Sequence, residues 1–227
     1  VFGKGNAAVL GNRSWYINAG ALVSQADVEG LETDTGFTLS TGWNIPVSQH
    51  VDFNVGFGYS QQSGTVEFIE EVPYTVYDRR YYYTYFYRYT YLVPRTAYRS
   101  VLVEEEFDVS TFAGLGALAL HAAPGQPVNP FLVGGVYYVN QEVEVGYISA
   151  SESDTGFSVG GGVEFIMGDQ VSFIPSVVHS KAGDAEETSI NALLTYWYAM
   201  PSAVRFSGAY GTESENILIS LGYMYMY

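Results

Sequence analysis

Residues 51–59 run Val-Asp-Phe-Asn-Val-Gly-Phe-Gly-Tyr, with large apolar or aromatic side chains at every odd position and Asp, Asn or Gly at every even one. Successive side chains of a β-strand point to opposite faces of the sheet. The stretch therefore predicts a strand with one large, apolar face and one small, polar face, each in a different environment.

The same alternation recurs along most of the chain, for example in residues 36–45 and 156–165. The connections between the alternating segments are alternately short and long. This is typical of outer-membrane barrels, which have short periplasmic turns and longer extracellular loops. An even number of strands puts both termini on the short-turn side. We predict strands at about residues 15–24, 35–46, 50–62, 107–121, 128–141, 155–166, 170–180, 188–198, 203–211 and 216–227.

These segments predict an all-β fold: one antiparallel up-and-down transmembrane β-barrel over residues 1–227, with ten strands and periplasmic N- and C-termini. Two places fit the pattern less well. Around Phe112, Leu118 and Leu120 bulky residues fall on both faces, and Pro175 removes a hydrogen-bond donor from the middle of a strand.

Composition favours a membrane barrel over a soluble β-sandwich. Only 15% of the residues are charged, whereas soluble domains carry about 25%. The small face consists of Gly, Ser, Thr and Asn, which suit a narrow lumen, and a charge on a lipid-facing surface would cost about 2–4 kcal/mol at mid-bilayer. We therefore predict that the small face lines the lumen and that the large face contacts the lipid of a bacterial outer membrane.

Net charge and the missing cysteines exclude several classes of function. The net charge of -15 argues against a nucleic-acid partner, because phosphate binding needs a basic surface. The chain has no cysteine for a disulfide, a thiolate metal site or a nucleophile. We expect no cofactor and no bound metal, and we expect an export signal before Val1 to have been removed.

The last predicted strand alternates apolar and aromatic residues up to the final position, at Leu221, Tyr223, Tyr225 and Tyr227. This pattern resembles the C-terminal assembly signal of the bacterial outer-membrane β-barrel superfamily, which most often ends in Phe. The small OmpA-like and OmpW-like barrels are nearest in kind. The resemblance implies insertion by the barrel assembly machinery.

Residues 62–106 are predicted to form a long extracellular hairpin, which contains five of the nine basic residues of the chain. Six odd-numbered tyrosines would line one face of a strand for about 33 Å. Tyr and Arg are enriched in binding hot spots, so a contact surface is one interpretation. The other is that the tyrosines stack within the hairpin while nearby glutamates neutralise the arginines. The candidate contact residues are Tyr81, Tyr83, Tyr85, Tyr87, Arg88, Tyr89 and Tyr91.

A twelve-stranded topology is the alternative to ten strands. Residues 64–77 and 81–93 would then cross the bilayer, with a periplasmic turn at Asp78. Pro73 and Pro94 argue against it, because proline is a poor residue for a closed-barrel strand. Ten strands is the preferred prediction.

Three charges are predicted to face the lumen close to the short turns: Asp52, Glu164 and Arg205. A buried charge needs a partner, and Arg205 is the only basic residue in any predicted strand. We therefore predict that Arg205 pairs with Glu164 or Asp52 and closes the periplasmic end, either as a static plug or as a gate for small ions. The histidines near turns and rim are expected to be solvated.

The sequence predicts a non-enzymatic outer-membrane protein with a structural or surface-interaction role through its loops and hairpin. His179 and Ser180 are adjacent on a strand and so point to opposite faces, which excludes a direct nucleophile–base pair. The alternative function is a narrow passive pore for small solutes or cations, because most carboxylates fall in the predicted long loops and form an acidic rim. A homo-oligomer or another surface protein is left open as the partner. The small residues Ala113, Ala117, Gly135 and Gly161 would allow close contact between barrels.

Overall fold

The computed structural model of the chain describes the backbone of residues 8–24, 31–83, 88–183 and 185–227. It describes the side chains of residues 8–23, 33–76, 94–183 and 185–227. Within these ranges the chain forms ten long β-strands and one strand of three residues. Their bounds are β1 Ser14–Ser24, β2 Leu31–Thr33, β3 Gly36–Ser48, β4 Val51–Tyr83, β5 Arg88–His121, β6 Val128–Val145, β7 Ile148–Met167, β8 Val171–Ala182, β9 Ala185–Ala199, β10 Ser202–Gly211 and β11 Asn216–Met226.

The long strands form one closed sheet in which all neighbours are antiparallel. The first and last strands, β1 and β11, pair from Ser14–Met226 to Ser24–Asn216, and β1 also pairs with β3. The order continues from β11 down to β5, and β4 pairs with both β3 and β5, which completes the circle. The short β2 adds to the edge of β4 at residues 64–66. The ten-stranded barrel predicted from the sequence is confirmed.

The two faces of the strands are oriented as the alternation predicts. Along β4, Phe53 and Phe57 are exposed on the outside, whereas Asp52 is fully buried on the inside. Along β3, Trp43 points outward and its neighbour Asn44 is buried. Outward rings also contact one another across strands: Phe57 lies 6.4 Å from both Trp43 and Phe112, measured between ring centroids. The outer surface is therefore apolar and aromatic, and the small and polar side chains line the lumen.

The part of β5 that fits the sequence pattern poorly has a simple arrangement in the structure. Phe112, Leu118 and Leu120 all point outward, with Gly114 and Gly116 between them. The rings of two β4 phenylalanines lie over these outward glycines, at about van der Waals distance from where a Cβ would stand. The inner face of β5 carries Ala113, Leu115, Ala117 and Ala119.

This arrangement corrects the predicted barrel–barrel contact. Ala117 is buried inside the barrel, and Gly135 lies against it from the neighbouring strand. Ala113 lines a cavity in the lumen. Of the four small residues proposed for contact between barrels, Gly161 alone lies on the outward face. The predicted contact requires Ala113, Ala117 and Gly135 to face outward, and for these three residues the prediction is wrong.

Pro175 is accommodated by an interruption in the sheet. The β7–β8 ladder pairs Gly162 with Ser176 and resumes only at Phe165 with Phe173. Because proline lacks a backbone N–H, the missing rungs lie where its donor would have been needed. The other edge of β8 remains paired with β9 through this region.

Most of the long loops predicted from the sequence are extensions of strands. The β6–β7 ladder continues to Val145–Ile148, so the predicted loop 141–154 is a hairpin. The β4–β5 ladder continues from Val51–Leu120 to Tyr83–Arg88 without a break. Residues 64–77 and 81–93 therefore pair with each other along one straight ribbon, and the twelve-stranded alternative is wrong. No described residue belongs to a helix long and apolar enough to cross a membrane.

Candidate functional site

The three lumen charges predicted from the sequence lie inside the barrel near its short-turn end. Asp52 and Glu164 are fully buried, and Arg205 is 8% exposed. They come from β4, β7 and β10. Each lies within a few residues of the short turn that begins or ends its strand. The sequence thus places the charges at the correct end of the lumen.

The segment that precedes β1 turns into the lumen and binds both carboxylates through its backbone. The N–H of Val9 donates to Glu164 Oε1 at 2.6 Å, and the N–H of Gly11 donates to Asp52 Oδ2 at 2.6 Å. Asn44 Nδ2 donates to the carbonyl of Asn12 at 2.8 Å and to Asp52 Oδ2 at 2.9 Å. Residues 8–12 are therefore a plug held by charge-assisted hydrogen bonds, which are stronger than neutral ones.

An apolar cluster completes the closure around this plug. Val9 packs against Ile174, Trp197, Ala203 and Met224, all of which are buried. Full burial of a large apolar side chain contributes about 1.5–3 kcal/mol to stability. The plug and the apolar side chains around it thus fill the short-turn end of the lumen.

The predicted ion pair between Arg205 and a carboxylate is not formed. No described carboxylate lies within ion-pair distance of its guanidinium, which instead lies over the ring of Tyr16 at 4.0 Å from the centroid. The cation–π contact offsets part of the cost of burying the charge. Backbone amides of the plug occupy the positions on Asp52 and Glu164 that the sequence had assigned to Arg205. Their presence could not be inferred, because a backbone N–H leaves no mark in the sequence.

His121 is a site residue that the sequence analysis missed. It was expected to be solvated beside a turn, yet it is buried, with Nε2 3.2 Å from Asp52 Oδ2. A carbonyl contact links the same strand end to His50, whose Nδ1 lies 3.0 Å from the backbone oxygen of His121. The available signal was positional: His121 shares the inward face of β5 with Ala117 and Ala119.

Above the plug the lumen contains two cavities. A cavity of about 350 Å³ is lined by Tyr16, Ser40, Tyr137, Ser158 and Ser180, among others. A second, of about 330 Å³, lies nearer the rim; Tyr137 and Ser180 line it as well, together with acidic residues of the rim. Tyr16 both lines the lower cavity and packs on the apolar cluster, so it forms the floor.

The rim of the upper cavity is built by two glutamates that bind each other's loops. Glu213 accepts hydrogen bonds from the N–H of Thr188 and the hydroxyl of Thr212, each at 2.6 Å. Glu187 in turn accepts from the N–H groups of Glu213 and Ser214. The Thr212 hydroxyl, followed by the Thr188 amide, lowers the pKa of Glu213 to about 2. These two carboxylates fix the β10–β11 turn to β9.

The Tyr/Arg hairpin is a two-stranded ribbon that projects beyond the barrel. We define the hairpin as residues 67–83 and 88–104, which pair only with each other among the described residues. At about 3.3 Å per residue, its 17-residue strands extend for about 55 Å. The candidate residues Tyr85 and Tyr87 lie outside the described residues. Tyr81, Tyr83, Arg88, Tyr89 and Tyr91 are described as strand backbone only.

The base of the hairpin carries exposed apolar and charged side chains. Ile69 is 70% exposed and Tyr98 63% exposed. Glu67 lies opposite Glu104, a like-charge pair that destabilises the ribbon. Arg95 and Arg99 are exposed and form no ion pair with any described carboxylate. Neutralisation of these two arginines within the hairpin is therefore not observed.

Neither a metal-ligand group nor a contact between His179 and Ser180 is found among the described residues. His179 contacts Thr188 Oγ1 at 3.2 Å and Glu186 at 3.6 Å, whereas Ser180 donates to the carbonyl of Glu187. His179 and Ser180 point to opposite faces, as predicted. No group of three or more potential ligands among the described residues could hold a metal ion. A non-enzymatic role stays a prediction.

A closed antiparallel barrel with an apolar exterior and a polar lumen defines the class of membrane β-barrels. The chain belongs to the outer membrane protein beta-barrel domain family, whose model matches residues 5–223. It is thus an integral protein of the bacterial outer membrane, as predicted from its sequence.

The fold is similar to those of several solved structures. The translocator domain of the autotransporter NalP from Neisseria meningitidis has a TM-score of 0.51 at 10% identity, covering 97% of this chain and 90% of that chain. The KdgM porin in complex with disordered oligogalacturonate has 0.43 at 8% identity, covering 93% and 99%. Ail, the attachment invasion locus protein of Yersinia pestis, has 0.37 at 10% identity, covering 94% and 99%. No curated protein sequence matches the chain.

Replacing Glu164 by Ala is expected to release the first part of the plug. The amide of Val9 would lose a hydrogen bond to a charged group, worth about 1.5–3 kcal/mol, so its hydrogen exchange should accelerate about tenfold or more. Gly11, which donates to Asp52, serves as the internal control and should change less. Unchanged exchange at Val9 in detergent micelles would contradict the proposed role of Glu164, and Glu164→Gln, which keeps an acceptor oxygen, should be intermediate.

The rim network predicts a dependence on acid pH. Because the pKa of Glu213 lies below its ordinary value of 4.5, the folded loop favours the ionised form. Its contribution to stability is complete above about pH 4.5 and is lost as the pH falls toward about 2. The carboxyl carbon resonance of Glu213 should titrate near the lower value. Thr212→Val, which removes the first donor, should raise the pKa; an identical titration in this variant would refute the assignment.

Proposed function

We propose that the protein acts at the outer face of the outer membrane, through the hairpin and the neighbouring loops, and not as an open channel. The observation that carries this proposal is the hairpin itself. About 55 Å of paired strand beyond the barrel exceeds what closure of the lumen requires. The barrel closes with pairs from Val51–Leu120 to Val66–Glu105, so the hairpin contributes nothing to the closed sheet.

The surface of the hairpin supports a contact role. Ile69, Tyr98 and Leu102 are each more than half exposed, and exposed apolar side chains of this size mark interaction sites when they cluster. The exposed side chains of Arg95 and Arg99, which form no ion pair with any described carboxylate, lie beside them. A role in contact requires the hairpin to lie outside the cell, which agrees with short turns and an N-terminal plug at the opposite, periplasmic end of the barrel.

The filled short-turn end supports the rejection of a channel. A solute that entered from the rim would meet Tyr16 and Arg205 and, below them, the plug bound to Asp52 and Glu164. The two cavities above this floor nevertheless favour a second candidate, a narrow pore for small cations that enter past the acidic rim. In that case the plug would have to leave the lumen.

A binding assay tests the contact role. Fluorescent vesicles carrying the wild-type chain, or a variant with residues 67–104 replaced by an Asn-Gly turn, are incubated with protein-free vesicles, vesicles carrying the wild type, and intact bacteria that lack the protein. We expect hairpin-dependent retention on at least one of these surfaces. Equal retention of both chains on all three would overturn the proposal. Heat-modifiable mobility in gel electrophoresis verifies that the shortened chain has folded.

Conductance in planar bilayers separates the two candidate functions. The wild-type chain is expected to be silent, because its lumen is filled at one end. A variant without residues 1–12 is the comparison, since it lacks the plug but keeps the apolar cluster of the wall. Cation-selective steps in the wild type would establish the pore and contradict our proposal for the lumen. Silence in both chains would show that the wall alone closes the lumen.

A further inference from the structure

The charges along the hairpin strand of β4 are ordered in a way that neither the barrel nor a general contact surface requires. Glu67, Glu70 and Glu71 lie nearest the barrel, and Arg79 and Arg80 lie near the tip. The three glutamates are exposed. No ion pair joins any of them to a described basic side chain. The strand thus carries three glutamates at its base and two adjacent arginines, preceded by Asp78, toward its end.

The outer edge of this strand has no partner among the described residues. β2 pairs with β4 at residues 64–66, and from Glu67 onward β5 is the one neighbour of β4 among residues 31–83, 88–183 and 185–227. An isolated two-stranded ribbon is marginally stable in water, and an open edge is a template for another strand. Among the described residues the hairpin therefore presents an unpaired strand edge that an additional strand would stabilise.

We infer that the hairpin pairs with the hairpin of a second copy carried by an opposing membrane. The β4 edges of the two copies run antiparallel about a two-fold axis at Thr75. This inference rests on the proposed function, which places the hairpin outside the cell. Strand addition supplies main-chain hydrogen bonds, and the side chains set the specificity. A two-fold axis makes the contact self-complementary, so each favourable pair occurs twice.

The register about Thr75 matches the charges of one copy to those of the other. Position 70 lies opposite position 80, and position 71 lies opposite position 79. Glu70 and Glu71 of each copy thus take register positions opposite Arg80 and Arg79 of the other, which makes four positions in the dimer where opposite charges are paired across the strands. Opposite charges that face each other across strands stabilise a sheet, and like charges destabilise it.

The same register also covers exposed apolar side chains. Ile69, which is 70% exposed, lies opposite position 81, and Phe68, which is 40% exposed, lies opposite position 82. Both partner positions are tyrosines. Aromatic residues paired with aromatic or β-branched residues across strands are among the favourable combinations. Pro73 lacks an amide donor, so each copy loses at most one hydrogen bond of the new ladder.

Copies in the same membrane cannot use this pairing. Their hairpins point in the same direction at the same height, so Glu70 would face Glu70 and Arg80 would face Arg80. Such like-charge contacts are expected to cost several kcal/mol across an interface. The order of charges therefore selects copies that approach from opposite directions, as they do when two cells come into contact.

Charge reversal tests the inference on the full chain. Vesicles carrying wild type are expected to aggregate at low ionic strength and to separate as salt screens the ion pairs. Glu70→Arg/Glu71→Arg makes all four positions basic, and Arg79→Glu/Arg80→Glu makes them all acidic. Each variant alone should aggregate about tenfold more slowly or worse. A mixture of the two vesicle populations should regain the wild-type rate, because opposite charges then meet again.

The matched control is Glu105→Arg/Glu106→Arg, which makes the same charge change on β5 outside the paired region and should leave aggregation unchanged. Failure of the mixed variants to regain aggregation, or loss of aggregation in the control, would overturn the inference. Absence of wild-type aggregation would also overturn it, whereas retention on bacteria that depends on residues 67–104 would leave the proposed function standing. Retention that does not depend on residues 67–104 on any of the three surfaces would overturn both the inference and the proposed function. Heat-modifiable mobility excludes misfolding of the variants.

Discussion

Hydrocarbon offers no hydrogen-bond partner to a peptide group, so every backbone N–H and C=O that crosses the membrane must be paired within the sheet. Ten strands satisfy this requirement by closing on themselves, with β1 paired to β11 and β4 to β5. Closure produces a narrow lumen, and a narrow lumen admits chiefly small inward side chains. The alternation of large and small residues is the direct consequence.

Beyond the rim the requirement ends, because water can bind a free strand edge. The β4–β5 ladder nevertheless continues to Tyr83–Arg88, where neither strand has a second neighbour among the described residues. Soluble proteins usually protect such an edge with charges, prolines or a covering segment. Here the charges are of opposite sign at the two ends of one edge, so they repel a neighbour in one orientation and attract it in the other.

The faces of the strands could be predicted from sequence because the lipid and the lumen demand side chains of opposite kinds. The aromatic side chain of Phe53 indicates a lipid-facing position and the carboxylate of Asp52 a lumen-facing one, before the fold is known. The lengths of the strands could not be predicted in the same way. Residues 149–154, Ser-Ala-Ser-Glu-Ser-Asp, are small or polar on both faces, so the alternation of large and small side chains is absent there although the backbone pairing persists.

In the candidate site, too, the side-chain positions could be predicted from the sequence, whereas the backbone contacts could not. Asp52, Glu164 and Arg205 were found from sequence because a charge in an otherwise small and polar lumen stands out. Their partners were not, because the groups that bind the two carboxylates are the amides of Val9 and Gly11, which any residue type would supply. His121 was missed for a related reason: its burial depends on the phase of β5, which glycines on the outward face had obscured.

The buried carboxylates Asp52 and Glu164 also bear on whether the lumen can act as an ion pathway. A selectivity site must hold an ion weakly enough to release it, so its ligands have to remain available to solutes. Asp52 and Glu164 are fully buried and already accept hydrogen bonds from the plug, from Asn44 and from Ser172. They are thus structural acceptors that fix one end of the barrel. The exposed glutamates at the base of the hairpin, Glu67, Glu70 and Glu71, form no ion pair with a described basic side chain, and they are the carboxylates that the proposed contact would use.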